Sequence, residues 1–130
     1  MNAIPMEVAD DRKTTIIIEG EQYDLVFNTK AAKEVSAKYG TLKGYGEAIE
    51  KATGVEVVGH NVWLTTLLVN QGIAIYNYRN PESKRSFFTE DDIELLTSPA
   101  DWEAARAALI KGSRRDIESE EDPSKNVEVG

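Results

Sequence analysis

Residues 61–78 read NVWLTTLLVNQGIAIYNY, and from Val57 to Tyr78 the chain carries no Asp, Glu, Lys or Arg. Val62, Trp63, Leu64, Leu67, Leu68, Val69, Ile73, Ala74 and Ile75 occupy nearly every direction around a helix axis. A helix apolar on all sides must be enclosed by other elements, which predicts a central helix over about Asn61–Tyr78. His60, Asn61, Thr65, Thr66, Asn70, Gln71 and Asn77 interrupt the run too often for a membrane span. Thr66, Asn70 and Asn77 form its one narrow polar stripe, and in a buried helix such groups must find hydrogen-bond partners.

On the N-terminal side, VEVV at 55–58 reads either as a third strand or as the approach to this helix. Further back, Leu42, Tyr45, Ile49 and Ala52 recur at helical spacing after Thr41, with Gly54 closing the segment. Ala31, Ala32, Val35 and Tyr39 mark an earlier helix, capped by Asn28 or Thr29 and ended by Gly40. TTIIIEGEQYDLVFNT, residues 14–29, predicts a β-hairpin with a type II′ turn at Gly20-Glu21. Ile16 and Ile18 share one face of it, and Tyr23, Leu25 and Phe27 alternate along the second strand. A lone hairpin is marginal in water, so helices or another chain must cover that face.

On the C-terminal side, NPESKR at 80–85 is a loop. Thr89 with Asp92 forms a capping box, and Glu90, Asp91 and Asp92 place carboxylates in the first turn, where the helix dipole favours them. Ser98-Pro99 opens a last helix with a Trp102, Ala105 and Leu109 stripe, expected to end at Gly112. The expected fold is α+β and mainly α: an N-terminal β-hairpin, then four to five helices around the central apolar one. The expected organisation is a flexible arm over 1–13, one globular domain over 14–112, and a disordered acidic tail over 113–130.

At 130 residues the chain has the length of a single domain with its own core. The absence of cysteine rules out disulfides, thiolate zinc sites and thiol nucleophiles, and fits a reducing compartment. A formal net charge of −8 with no basic face argues against nucleic acid as a partner. The N-terminus MNAIPMEVADDRK lacks the basic start and apolar core of a signal peptide, so the protein is expected inside the cell, with no membrane partner.

No catalytic constellation emerges. His60 is the only imidazole, and a structural or solvent-facing role is the simpler reading of it. Glu90, Asp91, Asp92 and Glu94 lack the glycine and closing glutamate of a calcium loop, and no metal or other cofactor is expected. The glycines at 40, 44 and 46 are followed by no Lys-Ser or Lys-Thr pair, so they do not make a phosphate loop. The residues alone describe an acidic interaction domain and not an enzyme. The neutral segment ending in Tyr76, Tyr78 and Arg79 has the composition of a subunit contact, with the domain core as its plainer reading.

Four phrases, YDLVFNTKAAKEVSAKYG, NQGIAIYN, LLTSPADW and ESEEDPSKNVEVG, resemble the tail assembly chaperones of long-tailed bacteriophages and prophages of Gram-positive hosts. The resemblance runs from about Tyr23 to Gly130 and rests on overall pattern. It implies a protein that coats the tape measure protein in the host cytoplasm, then leaves before the virion is complete. It also implies binding of the tail tube protein through an extension made by ribosomes slipping into the −1 frame, and homo-oligomers. Lys125-Asn126, encoded as AAA AAC after a serine codon ending in A, would supply the slippery site; Phe87-Phe88 shows that such pairs also arise by chance. A solvated acidic tail suits a domain that sometimes continues into a second module.

Under that reading a helical partner is masked by residues of the central helix and the loop after it: Trp63, Leu67, Asn70, Tyr76, Tyr78 and Arg79. Self-association falls to the hairpin edge through Ile16, Ile18, Tyr23 and Leu25. Two rival classes are an acidic nucleic-acid mimic and an antitoxin or adaptor. The first would spread carboxylates over a folded face, whereas here they gather at helix starts and in the tail. The second would be recognised by a toxin gene beside it.

Overall fold

The computed structural model describes residues 14–120, with side chains described as far as Ser113. The arm expected at 1–13 and the Lys125-Asn126 pair lie outside the described residues. An N-terminal hairpin of β1 (Thr14–Ile18) and β2 (Glu21–Leu25) precedes five helices: α1 (Thr29–Tyr39), α2 (Gly44–Lys51), α3 (Val55–Arg79), α4 (Glu90–Leu96) and α5 (Pro99–Glu120). This is the α+β, mainly helical architecture expected.

The strands pair antiparallel with Thr14 opposite Leu25 and Ile18 opposite Glu21. That register leaves Glu19 and Gly20 as the two turn residues, at φ 53° and 80°. Two successive positive φ angles define a type I′ turn, not the type II′ turn expected at Gly20-Glu21. Glu19 pays local strain for a twist that matches the strands.

Ile16, Ile18 and Leu25 are buried, whereas Ile17 on the other face is 64% exposed. The buried face belongs to one core cluster with Val35, Tyr45, Leu64, Leu68, Ile93 and Ala105, so the hairpin and all five helices contribute to a single core. The side chains of Ile16, Ile18 and Leu25, proposed from sequence for self-association, are therefore core residues. Of the proposed set only Tyr23 stays partly exposed, and the main-chain edges of the strands remain open to another chain.

α1 begins where Asn28 accepts a hydrogen bond from the Ala31 amide at 2.9 Å. It ends at Gly40, whose φ of 88° admits the C-cap bond to Ser36. α2 starts at Gly44, with Thr41 Oγ1 accepting from the Gly44 amide at 3.0 Å. A Cβ at Gly44 would collide with the Tyr39 carbonyl, so the tight α1–α2 corner depends on this glycine.

α3 starts earlier than its apolar run suggested: VEVV forms its first turn and is not a strand. Gly54, at φ 58°, turns the chain directly into the helix. At 25 residues, α3 is about 37 Å long. It contacts β2 and all four other helices, which makes it the central element expected. Its contact with β2 is unusually close. A Cβ on Gly72 would meet the Asp24 carbonyl, and the Val26 amide donates to the Leu68 carbonyl at 3.2 Å.

α4 carries the expected capping box, with the Asp92 amide donating to Thr89 Oγ1 at 3.1 Å and the Thr89 amide to Asp92 Oδ2 at 2.9 Å. α5 begins at Pro99 and continues through Gly112 to Glu120. Gly112 is therefore not a stop, and the helix runs through the first part of the expected tail to Glu120; residues 121–130 of that tail lie outside the described residues. The reason for glycine is packing, because any Cβ there would enter the Phe27 ring.

Candidate functional site

Helices α2 and α5 diverge enough to leave an open groove of about 540 Å³. Leu42, Tyr45 and Ile49 form one wall, and Leu109 and Ile110 the other. Leu42, Tyr45 and Ile49 line up at i, i+3 and i+7, and Leu109 and Ile110 share their face with Arg106 and Ser113 at i, i+3, i+4 and i+7. Ile110 remains 52% exposed on the rim.

Two cationic residues, Lys43 and Arg106, line this otherwise apolar surface, and Arg106 is tied into its wall. Arg106 Nη1 donates to Asn61 Oδ1 at 2.7 Å, and the Tyr45 hydroxyl donates to the same oxygen at 3.2 Å. Asn61 is buried, and its Nδ2 donates back to the Val57 carbonyl at 2.9 Å, which fixes the amide with its oxygen toward both donors. Burial raises the Tyr45 pKa, Tyr39 adds to the rise and Arg106 opposes it, so the phenol stays a neutral donor. No carboxylate among the described residues pairs with Arg106. Its remaining N–H groups are available to a groove occupant that brings oxygen acceptors.

A second cluster lies where α1 meets α3. Tyr39 stacks edge-on against Tyr45 and Trp63, and its hydroxyl lies 2.7 Å from His60 Nδ1. Burial, with the Glu90 charge adding to it, pushes the Tyr39 pKa up to about 12. Lys38 Nζ sits 5.2 Å from the Trp63 ring centroid. His60 thus has an aromatic hydroxyl as its partner, and Trp63 belongs to a packed aromatic group with one face toward a cation.

The third feature is the C-terminal half of α3 with the loop after it. Asn70 Nδ2 donates to the Phe88 carbonyl at 2.8 Å, and the Phe88 amide donates to Asn70 Oδ1 at 2.9 Å. Asn77 treats Arg85 in the same way, at 3.0 and 2.8 Å. The Arg85 guanidinium carbon lies 4.7 Å from the Tyr23 ring centroid and 4.4 Å from that of Tyr76. Tyr23 in turn meets Phe88 edge-on at 5.2 Å.

The six residues proposed from sequence for partner binding are thereby dispersed. Leu67 is half-buried against the core, Asn70 is committed to Phe88, and Tyr76 is stacked on Arg85. Tyr78, at 87% exposure, and Arg79 project into solvent. Trp63 lies roughly 20 Å along the helix from Tyr76, so no single contact surface contains them all. Sequence reasoning overlooked the groove instead. Its stripes on α2 and α5 were legible, but only tertiary structure shows them facing each other across open space.

Among the described residues no three His, Cys, Asp or Glu side chains converge as a metal site would require, and no helix is long and apolar enough to cross a membrane. Compared with protein-family models, curated proteins and solved structures, the chain matches none.

Proposed function

We propose that this protein is a non-catalytic tail assembly chaperone of the long-tailed bacteriophage type, and that its client is a helical segment of a tape measure protein. The observation that carries the reading is the open α2–α5 groove, apolar along its walls and furnished with a half-satisfied Arg106. An amphipathic client helix would lay its apolar side against Leu42, Ile49, Leu109 and Ile110 and present an acceptor to Arg106. The likeness of YDLVFNTKAAKEVSAKYG, NQGIAIYN, LLTSPADW and ESEEDPSKNVEVG to that family supports the class of client. In this reading the protein acts in the host cytoplasm, is absent from the mature virion, and forms homo-oligomers through the strand edges of the hairpin. A −1 frame product crossing Asn126 would carry the module that binds the tail tube protein.

The test is co-expression with the tape measure protein encoded in the same gene cluster, followed by affinity capture. Capture by the wild type and by Ile17→Asp, with loss in Ile49→Asp and Ile110→Asp proteins that still fold, is the expected result. Failure of the wild type to retain the tape measure protein would sink the proposal. Peptide mass spectrometry across residue 126 checks the longer product separately.

A further inference from the structure

We propose that the α2–α5 groove selects an acidic helix: one whose apolar stripe carries a single carboxylate, with an aliphatic residue about one turn to either side of it. Naming that helix as a segment of the client rests on the groove being the client site; the preference for an acid in the stripe does not.

The place of the charge defines the pattern. Arg106 Nη1 and the Tyr45 hydroxyl both donate to Asn61 Oδ1, so the guanidinium lies level with Tyr45. On that wall Leu42 precedes Tyr45 by three residues and Ile49 follows it by four, so apolar surface flanks the cation in both directions. On the other wall the lining runs from Arg106 to Ser113, two helical turns or about 10 Å. Two turns of an occupant helix present three or four side chains over the same length, enough for an aliphatic, an acid and an aliphatic in register.

Charge decides what the occupant brings. The chain has 23 acidic and 15 basic residues, yet the groove lining holds Lys43 and Arg106 and no carboxylate. Among the described residues neither cation forms an ion pair. With one Nη1 hydrogen given to Asn61, Arg106 keeps the Nε and Nη2 hydrogens that grip a carboxylate through two parallel bonds.

Rejection sharpens the choice. A stripe with no acceptor would cover Arg106 and leave a desolvated, half-bonded charge, and a lysine in the stripe would repel it. The two cations divide the work. Arg106, anchored to buried Asn61, governs how long the acidic helix stays, whereas exposed Lys43 steers its arrival.

Three labelled peptides test this, each a helix with leucines at i, i+4 and i+7, mixed charges on the outer face, and Glu, Gln or Lys at i+3. Fluorescence anisotropy with the full chain is expected to rank the Glu peptide ~10-fold tighter than the Gln peptide, with the Lys peptide weakest. That ranking needs no variant to fold. In Arg106→Gln, checked by thermal melting, the Glu and Gln peptides should bind alike. Lys43→Gln should slow association of the Glu peptide at low salt and leave its dissociation rate unchanged.

Equal affinity of the wild type for the Glu and Gln peptides overturns the proposal, and so does the absence of binding to any of the three. A Glu preference that survives in folded Arg106→Gln protein overturns it as well. Laurate competing as strongly as the Glu peptide would make the occupant a free alkyl carboxylate, and peptide binding that appears only when an oligomer is diluted apart would make it a second copy; either result sinks the acidic helix. If the ranking holds while tape measure capture fails, the acidic preference stands and the client assignment falls. Capture of the tape measure protein with equal binding of the peptides leaves the client assignment and removes the preference.

Discussion

Asn70 binds both main-chain polar groups of Phe88 with one side-chain amide, at 2.8 and 2.9 Å. Asn77, two helical turns later, does the same for Arg85. Seven residues of helix rise about 10.5 Å, close to the span of three extended residues, so residues 85–88 lie antiparallel along α3 at matching intervals. The helix thereby satisfies an extended segment that has no neighbouring strand. Asn70→Ala strands an amide and a carbonyl at once and is expected to cost about 2–4 kcal/mol in urea unfolding. Asn70→Asp, which keeps the acceptor and loses the donor, should cost less. An Asn70→Ala protein as stable as the wild type would show that water replaces the amide freely.

Two glycines of α3 should respond in opposite directions to the same substitution. At Gly72 a Cβ meets the Asp24 carbonyl, so Gly72→Ala must push β2 away from the helix, at a cost of about 1–3 kcal/mol. At Gly59 nothing lies within 4 Å, and Gly59→Ala should stabilise by about 1 kcal/mol through helix propensity alone. Thermal melts of the two variants, moving apart from the wild type, check both claims.

The contrast shows what was legible in the sequence. The periodicity around Val62–Ile75 identified the central helix because a helix apolar on every side has few other fates, and the capping signals at Asn28, Thr89 and Pro99 placed three helix starts. Gly112 misled because a glycine that admits the Phe27 ring and a glycine that ends a helix are the same letter. Gly20 misled by one position, since strand register and not glycine alone decides which residues make the turn. Asn70 was rightly seen to need a partner, yet that partner is the main chain of Phe88, which sequence pattern does not encode. The groove depends on the angle between α2 and α5, a tertiary property.

Tyr39 gives the fold a sensitivity to alkali. Burial first and the Glu90 charge second raise its pKa to about 12, above the value near 10 of a tyrosine in an unfolded chain. Its contribution to stability is therefore complete below about pH 10 and is lost as the pH climbs through about 12. Tyr39→Phe should be less stable than the wild type at pH 8, having lost the contact with His60 Nδ1, yet lose stability less steeply between pH 10 and 12. Tyr45, whose pKa is raised too, keeps the slope from vanishing. Chemical unfolding at pH 8, 10 and 11 measures the difference in slope; parallel curves for the two proteins would exclude Tyr39 as its source.

Arg85 joins the hairpin to α3 by position more than by charge. Its planar guanidinium lies against both Tyr23 and Tyr76, while its 4.0 Å pairing with the exposed Glu21 carboxylate adds little at ordinary salt. Arg85→Lys keeps the charge but gives up the stacked plane, and should destabilise by about 1 kcal/mol with almost no dependence on salt. Arg85→Ala also removes the one influence that lowers the Tyr23 pKa against the upward push of burial and Glu21. The Tyr23 phenol should then titrate at still higher pH, visible in the ultraviolet titration as a tyrosine step displaced upward from the wild type. A loss of stability in Arg85→Lys that disappears in high salt would instead assign the contact to the Glu21 pair and leave the two rings as bystanders.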